Sequence, residues 1–242
     1  MSKQQQQGAR GRSNKVMFLT SALVLVAAVI IGLLISNATA GSRFESEVVA
    51  MNDAFSSGKS EKIDEVLQRT VSSGNYAKVE KSLKSYVGDL VSNINDIKAV
   101  TDDEAVYDSL EGTYLAKNAD KLDDTIAKLT EASKKVDELT ENANKLYNEE
   151  DVKAYIADQQ LGESYSKLFI ENAKLFYDDD ELRDNYSNTL KLLRSSIKVE
   201  IEAVGYLKNH RSDWEIKDGK LVFKNDAASN EYTKILEKVA NL

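Results

Sequence analysis

The sequence predicts an all-α protein: an N-terminal transmembrane helix, then an antiparallel helical bundle with one small C-terminal β-hairpin. Three observations carry that expectation. The chain of 242 residues contains no proline and only 11 glycines, so long helices can run without the residue that most often breaks them. Residues 16–35 (VMFLTSALVLVAAVIIGLLI) hold no charged side chain. Downstream, apolar residues recur three and four apart over long stretches, with one late segment that alternates every second residue instead.

Residues 1–15, MSKQQQQGARGRSNK, are polar and carry Lys3, Arg10, Arg12 and Lys15 without an acid. They read as a basic cytoplasmic tail. Twenty helical residues rise about 30 Å, the thickness of a hydrocarbon core, so residues 16–36 are assigned as a membrane helix. The apolar core of a secretory signal is shorter, about 7–15 residues. The basic flank keeps the N-terminus inside and places the remainder outside. Ala38-Thr39-Ala40 before Gly41 nevertheless matches the small-x-small pattern that signal peptidase accepts. Ala38 and Ala40 therefore mark an alternative, a chain cleaved after Ala40 and secreted. Either way the body is exported.

Residues 37–74 read as juxtamembrane helices. Phe44, Val48, Met51 and Phe55 share a face, Ser56-Ser57-Gly58 interrupts, and Ile63, Val66, Leu67 and Val71 form the next stripe. Ser72-Ser73-Gly74 is expected to end that piece with a left-handed glycine cap. Residues 75–242 read as the bundle. Tyr76, Val79, Leu83, Val87, Leu90, Ile94 and Ile97 form a long stripe. Thr101 then reads as the cap of a short helix, with Glu104 completing a capping box. A second long stripe runs over Leu122, Ile126, Leu129, Val136, Leu139, Ala143 and Leu146. Asp151 reads as the cap of a third, carrying Val152, Ile156, Tyr165, Leu168, Phe169, Leu175 and Phe176. The acidic run 178–181 separates it from a fourth, from Leu182 through Tyr186, Leu190, Leu193, Ile197, Ile201 and Val204 to Leu207. Four stripes with short polar joints make an antiparallel bundle.

The period changes to two at DWEIKDGKLVF. Asp218-Gly219 is a favoured pair for a type I′ turn, predicting a hairpin over about residues 213–224. A two-residue loop opposes Trp214 to Phe223, Glu215 to Val222, Ile216 to Leu221 and Lys217 to Lys220. Trp214, Ile216, Leu221 and Phe223 then share one face, which must lie on the bundle because a lone hairpin is marginal. The remaining segment, with Tyr232, Ile235, Leu236 and Val239 inward, closes the fold.

Composition excludes several chemistries. Without cysteine there is no disulfide framework, thiol nucleophile or lipid-modified cysteine. One histidine, His210, rules out a two-histidine metal site. The formal net charge is −8, and with +4 in the first fifteen residues the rest carries −12. So acidic a body disfavours nucleic acid and anionic lipid as partners. No nucleophile elbow, zincin helix or dinucleotide fingerprint occurs, and no cofactor or metal is expected. The acidic cluster 178–181 lacks calcium-loop spacing and reads as a helix start.

Three residues form the candidate binding surface. Trp214 offers a ring for a sugar or wall fragment, His210 a titratable imidazole beside it, and Tyr206 one of eleven tyrosines that recur along the helices. Against this, Trp214 suits the hairpin core, His210 suits a cap on the preceding helix, and tyrosines suit half-wet edges.

The stretches SSGNYAKVEKSLKSYVGDL and DWEIKDGKLVFKND resemble single-span extracytoplasmic helical proteins of low-GC Gram-positive bacteria that carry no assigned function. The resemblance implies an envelope setting and brings no site residue. The expected role is a membrane-anchored, non-enzymatic interaction or scaffold protein, with a cell-envelope protein or the wall as partner. A ligand-binding or sensor domain is the alternative. A glycan hydrolase built on paired carboxylates is a third reading, but no pair stands out.

Overall fold

The computed structural model describes residues 42–178 and 180–240. The basic tail, the expected membrane helix, Ala38 and Ala40 lie outside the described residues. Among those described, no helix is long and apolar enough to cross a membrane. The described residues are mostly helical, with one two-stranded antiparallel hairpin among them. In chain order the helices are α1 (Ser42–Ser56), α2 (Ser60–Gln68), α3 (Gly74–Asp102), α4 (Glu104–Asp108), α5 (Gly112–Asn118), α6 (Leu122–Leu146), α7 (Glu149–Ala157), α8 (Glu163–Tyr177) and α9 (Asp180–Asn209). A 3-10 turn, strands β1 (Trp214–Lys217) and β2 (Lys220–Phe223), and helix α10 (Asp226–Ala240) complete it.

Several joints differ from expectation. The third stripe is two helices, α7 and α8, because Gln160 takes a left-handed φ of 52° and Gly162 starts the next helix as its cap. Asp151 does not cap α7. Asn148 does, its Oδ1 accepting from the backbone N–H of Glu150 and Asp151, which puts three acids into the first turn at the positive end of the helix dipole. Thr101 does not cap α4 either. Its hydroxyl donates back to the Lys98 carbonyl within α3, and the Asp103 carboxylate accepts from Ala105 N–H. Gly74, with φ of 60°, opens α3 rather than closing α2. Helix α2 stops at Gln68, and residues 69–73 run without regular structure. The side chains of Leu182 and Val239, expected on inward stripes, lie outside the described set.

The described residues divide into two compact units. The first comprises residues 42–95 and 141–189, the second 96–140 and 190–240. Phe44, Val48, Met51, Ala54, Phe55 and Val66 share one core with Val79, Leu83, Tyr86, Val87, Phe169 and Phe176. In this first unit Tyr86 donates to the Leu146 carbonyl and Ser82 to the Tyr155 carbonyl, tying α3 to α6 and α7.

In the second unit, ion pairs fix helix direction. Asp137 pairs with Arg194 and Asp123 with Lys208, so α6 and α9 run antiparallel. Asp96 pairs with Lys135 between α3 and α6. The hairpin register is Trp214 to Phe223, Glu215 to Val222, Ile216 to Leu221 and Lys217 to Lys220, as predicted. Asp218 and Gly219 both have positive φ, 53° and 70°, as a type I′ turn requires.

The turn seats against α5. A Cβ placed on Gly112, the first residue of α5, would come 2.2 Å from the Gly219 carbonyl oxygen. Backbone cannot yield as a side-chain tip can. Gly112→Ala is therefore expected to cost about 1–3 kcal/mol of overpacking. Gly205→Ala, inside α9 with nothing within 4 Å, is expected to gain about 0.5–1 kcal/mol of helix stability. Urea midpoints followed by circular dichroism check the pair, and the opposite signs are the point of the comparison.

Candidate functional site

The densest polar chemistry of the first unit is a cluster of four charged side chains, three of them buried (Glu47, Glu80 and Lys84) and the fourth, Arg69, reaching it from the surface. Glu47 (3% exposed) projects from α1, and Glu80 (1%) and Lys84 (5%) from adjacent turns of α3. Arg69 leaves the end of α2. Lys84 Nζ donates at 2.5 Å to Glu47 Oε1, at 2.7 Å to Glu80 Oε1 and at 2.8 Å to the Arg69 carbonyl. An ammonium has three hydrogens, and all three are used. Arg69 grips Glu47 through Nε at 2.9 Å and Nη2 at 2.9 Å, a two-pronged pair.

Glu80 serves a different purpose. Its carboxylate accepts from the backbone N–H of Val71 at 3.1 Å and of Ser72 at 2.8 Å. The joint between α2 and α3 lacks helix or strand partners for its backbone, and side chains of α3 supply them. This is why α2 gives way to an extended joint, where the sequence suggested a glycine cap.

Two carboxylates and two cations make the cluster formally neutral. Burial raises the pKa of Glu47, but the Arg69 and Lys84 hydrogen bonds and charges outweigh it and hold that carboxyl below its ordinary value. Burial likewise raises Glu80, and the hydrogen bonds from Lys84 and Ser72 bring it below the ordinary value. Both groups are thus ionised at neutral pH and fully engaged. An acid or base catalyst needs the opposite, a proton that can leave or a lone pair that is free. The arrangement fastens α1 and the α2–α3 joint to α3.

The sequence-derived candidates fall in the second unit, where Tyr206 and His210 meet while Trp214 is held separately against Leu207 and Arg211. The Tyr206 and His210 rings stack at 4.1 Å with planes 24° apart. His210 Nδ1 lies 3.1 Å from the Tyr206 carbonyl, at the last turn of α9. Tyr206 also adjoins Phe223 and Tyr232, and its hydroxyl donates to the Ala228 carbonyl at 3.1 Å. Burial, then the Glu231 carboxylate, pushes the Tyr206 phenol above its ordinary value, so it stays protonated. Trp214 is 1% exposed. Its indole N–H donates to the Leu207 carbonyl at 2.7 Å, and the Arg211 guanidinium lies over its ring at 4.4 Å. A ring so enclosed anchors β1 to α9 and offers no face on which a sugar could stack.

Among the described residues no group of three or more acids or histidines is placed to hold a metal ion. The buried charge cluster was missed from sequence. A faint signal existed: Glu80 and Lys84 sit four apart and directly beside Val79 and Leu83 of the apolar stripe. The same spacing at Glu149 and Lys153 gives an ordinary surface pair, so spacing alone does not distinguish them.

Removing one member of a buried pair strands the other. Lys84→Met is expected to cost about 3–5 kcal/mol, and measurably less in a Glu80→Gln background, read from urea midpoints. The lowered carboxyl values give a pH dependence of definite sign. The contribution is complete above the unfolded carboxyl value of 4.5 and is lost as pH falls through the lower folded-state values. Melting temperature should fall between pH 5 and pH 3 more steeply in the parent chain than in Glu47→Gln/Glu80→Gln, at about the pH range acid denaturation takes. No family model matches the chain, and comparison with curated proteins and with solved structures gave no match.

Proposed function

We propose that the chain is a single-pass membrane protein whose helical body is held outside the cytoplasm as a non-enzymatic interaction or scaffold module of the cell envelope. The observation that carries this reading is the uncharged stretch of residues 16–35, preceded by four basic residues and no acid. The state of the body's polar groups supports it. The buried charges of the first unit, Glu47, Glu80 and Lys84, are closed on one another, and Tyr206, His210 and Trp214 are engaged in packing. What remains for a partner is surface, acidic on balance. A sensor or ligand-binding reading centred on Trp214 has less support, because that ring is enclosed.

Fractionation of expressing cells with intact-mass measurement tests the anchor. The expected result is full-length mass in the membrane fraction, resistant to carbonate extraction. A soluble chain beginning at Gly41 would replace the anchor with a secreted protein released after Ala40. Crosslinking in cells followed by mass spectrometry tests the role, with a reproducible envelope protein as the expected product.

A further inference from the structure

Three helices of the first unit begin with an aromatic residue at their third position. These are Phe44 of α1, Tyr76 of α3 and Tyr165 of α8. The three rings meet. Phe44 and Tyr76 are 6.2 Å apart, and Tyr76 meets Tyr165 edge-on at 5.2 Å. One end of the unit is thereby defined by three helix starts and an aromatic trio. Lys78, one turn into α3, reaches the Gln159 carbonyl just before α8, which draws the α7–α8 joint to the same end.

The two tyrosines differ from Tyr86, Tyr155 and Tyr186 of the same unit. Tyr86 donates to a backbone carbonyl, and Tyr155 and Tyr186 donate to Asp89 and Asn93. The half-buried Tyr76 and Tyr165 have no hydrogen-bond partner for their hydroxyls among the described residues. Their rings pack inward while the hydroxyls reach the surface. An apolar ring with a polar tip is the arrangement that tyrosine adopts at a membrane–water boundary.

The position of this end follows from chain length. Residues 36–41 separate the uncharged stretch from Ser42. Six residues reach at most about 20 Å, so α1 starts close to wherever residue 35 ends, and Phe44 is two residues beyond. We infer that the Phe44–Tyr76–Tyr165 end of the first unit seats in the headgroup layer of the membrane from which the chain emerges, with the two tyrosine hydroxyls among the lipid polar groups. The inference rests on the anchor reading above. Because the body is acidic, the contact suits zwitterionic headgroups reached by aromatic rings, with no need of charge attraction.

Full-length protein reconstituted into phosphatidylcholine vesicles tests it, with flotation confirming attachment. Asn75→Trp places an indole at an exposed site beside the trio. Asn95→Trp places one at an exposed site on the same helix, about 30 Å away along its axis. Native Trp214 is buried and supplies a constant background. A headgroup spin-labelled lipid is expected to quench the Asn75→Trp emission several-fold more than the Asn95→Trp emission. Adding Tyr76→Ser and Tyr165→Ser, with helicity checked by circular dichroism, is expected to reduce that difference. Equal quenching at both sites, or none, in protein that floats overturns the seating and leaves the anchor intact. Emission changes that follow protein density without spin label point to a second copy at this end and also overturn it. Protein that fails to float with the vesicles overturns the anchor and the seating together.

Discussion

The first unit turns on one ammonium group. Lys84 stands between two carboxylates that are almost wholly withdrawn from water, and it contacts both within 2.7 Å. Two like charges that close, in a medium less polar than water, repel strongly. The lysine converts that repulsion into attraction at both, and its third proton holds the backbone where α2 ends. Arg69 balances the remaining charge from the surface side. The result ties three consecutive segments to α3 by directional bonds. The apolar residues beside it, Phe44, Val48 and Met51 on one side and Val79 and Leu83 on the other, supply the non-directional part. Burial favours contact, and the charge cluster selects which contact.

The second unit relies on shape where the first relies on charge. Trp214 fills space against α9 and satisfies its one donor on the Leu207 carbonyl. The hairpin turn then reaches Gly112, where only a hydrogen side chain leaves room. Four residues per strand would not hold a ladder in water unaided. The enclosed indole and the glycine contact together make the hairpin part of a core. Tyr206, Phe223 and Tyr232 cover the flank of the same cluster, so the aromatic residues near the C-terminus act as a group.

A chain without proline must turn by other means. Gly58, Gly74, Gln160, Asp218 and Gly219 take positive φ, and each lies at a joint between elements. Gln160 is the informative case. A residue with a full side chain enters the left-handed region at a modest cost, here in the joint between α7 and α8. Nothing in DQQLGE except Gly162 announces that break, which is why an apolar stripe continuous from Val152 to Phe176 reads as one helix.

Local order was legible in the sequence. The stripes of α3, α6 and α9 come from residues three and four apart, and such neighbours meet on a helix whatever the rest of the chain does. The hairpin register followed from Asp218-Gly219 for the same reason: a two-residue loop leaves one pairing that puts Trp214, Ile216, Leu221 and Phe223 on one face. The uncharged stretch of residues 16–35 is equally a matter of sequence. The tertiary structure alone decided what lies opposite each helix. Glu47 and Lys84 are 37 positions apart, and no periodicity links them. Glu80 and Lys84 look like any surface pair until the extended joint covers them. Trp214 reads as an open platform or a core anchor according to whether α9 lies beneath it. Pairings of that kind depend on which surfaces meet, and the free energy that chooses them belongs to the assembled core.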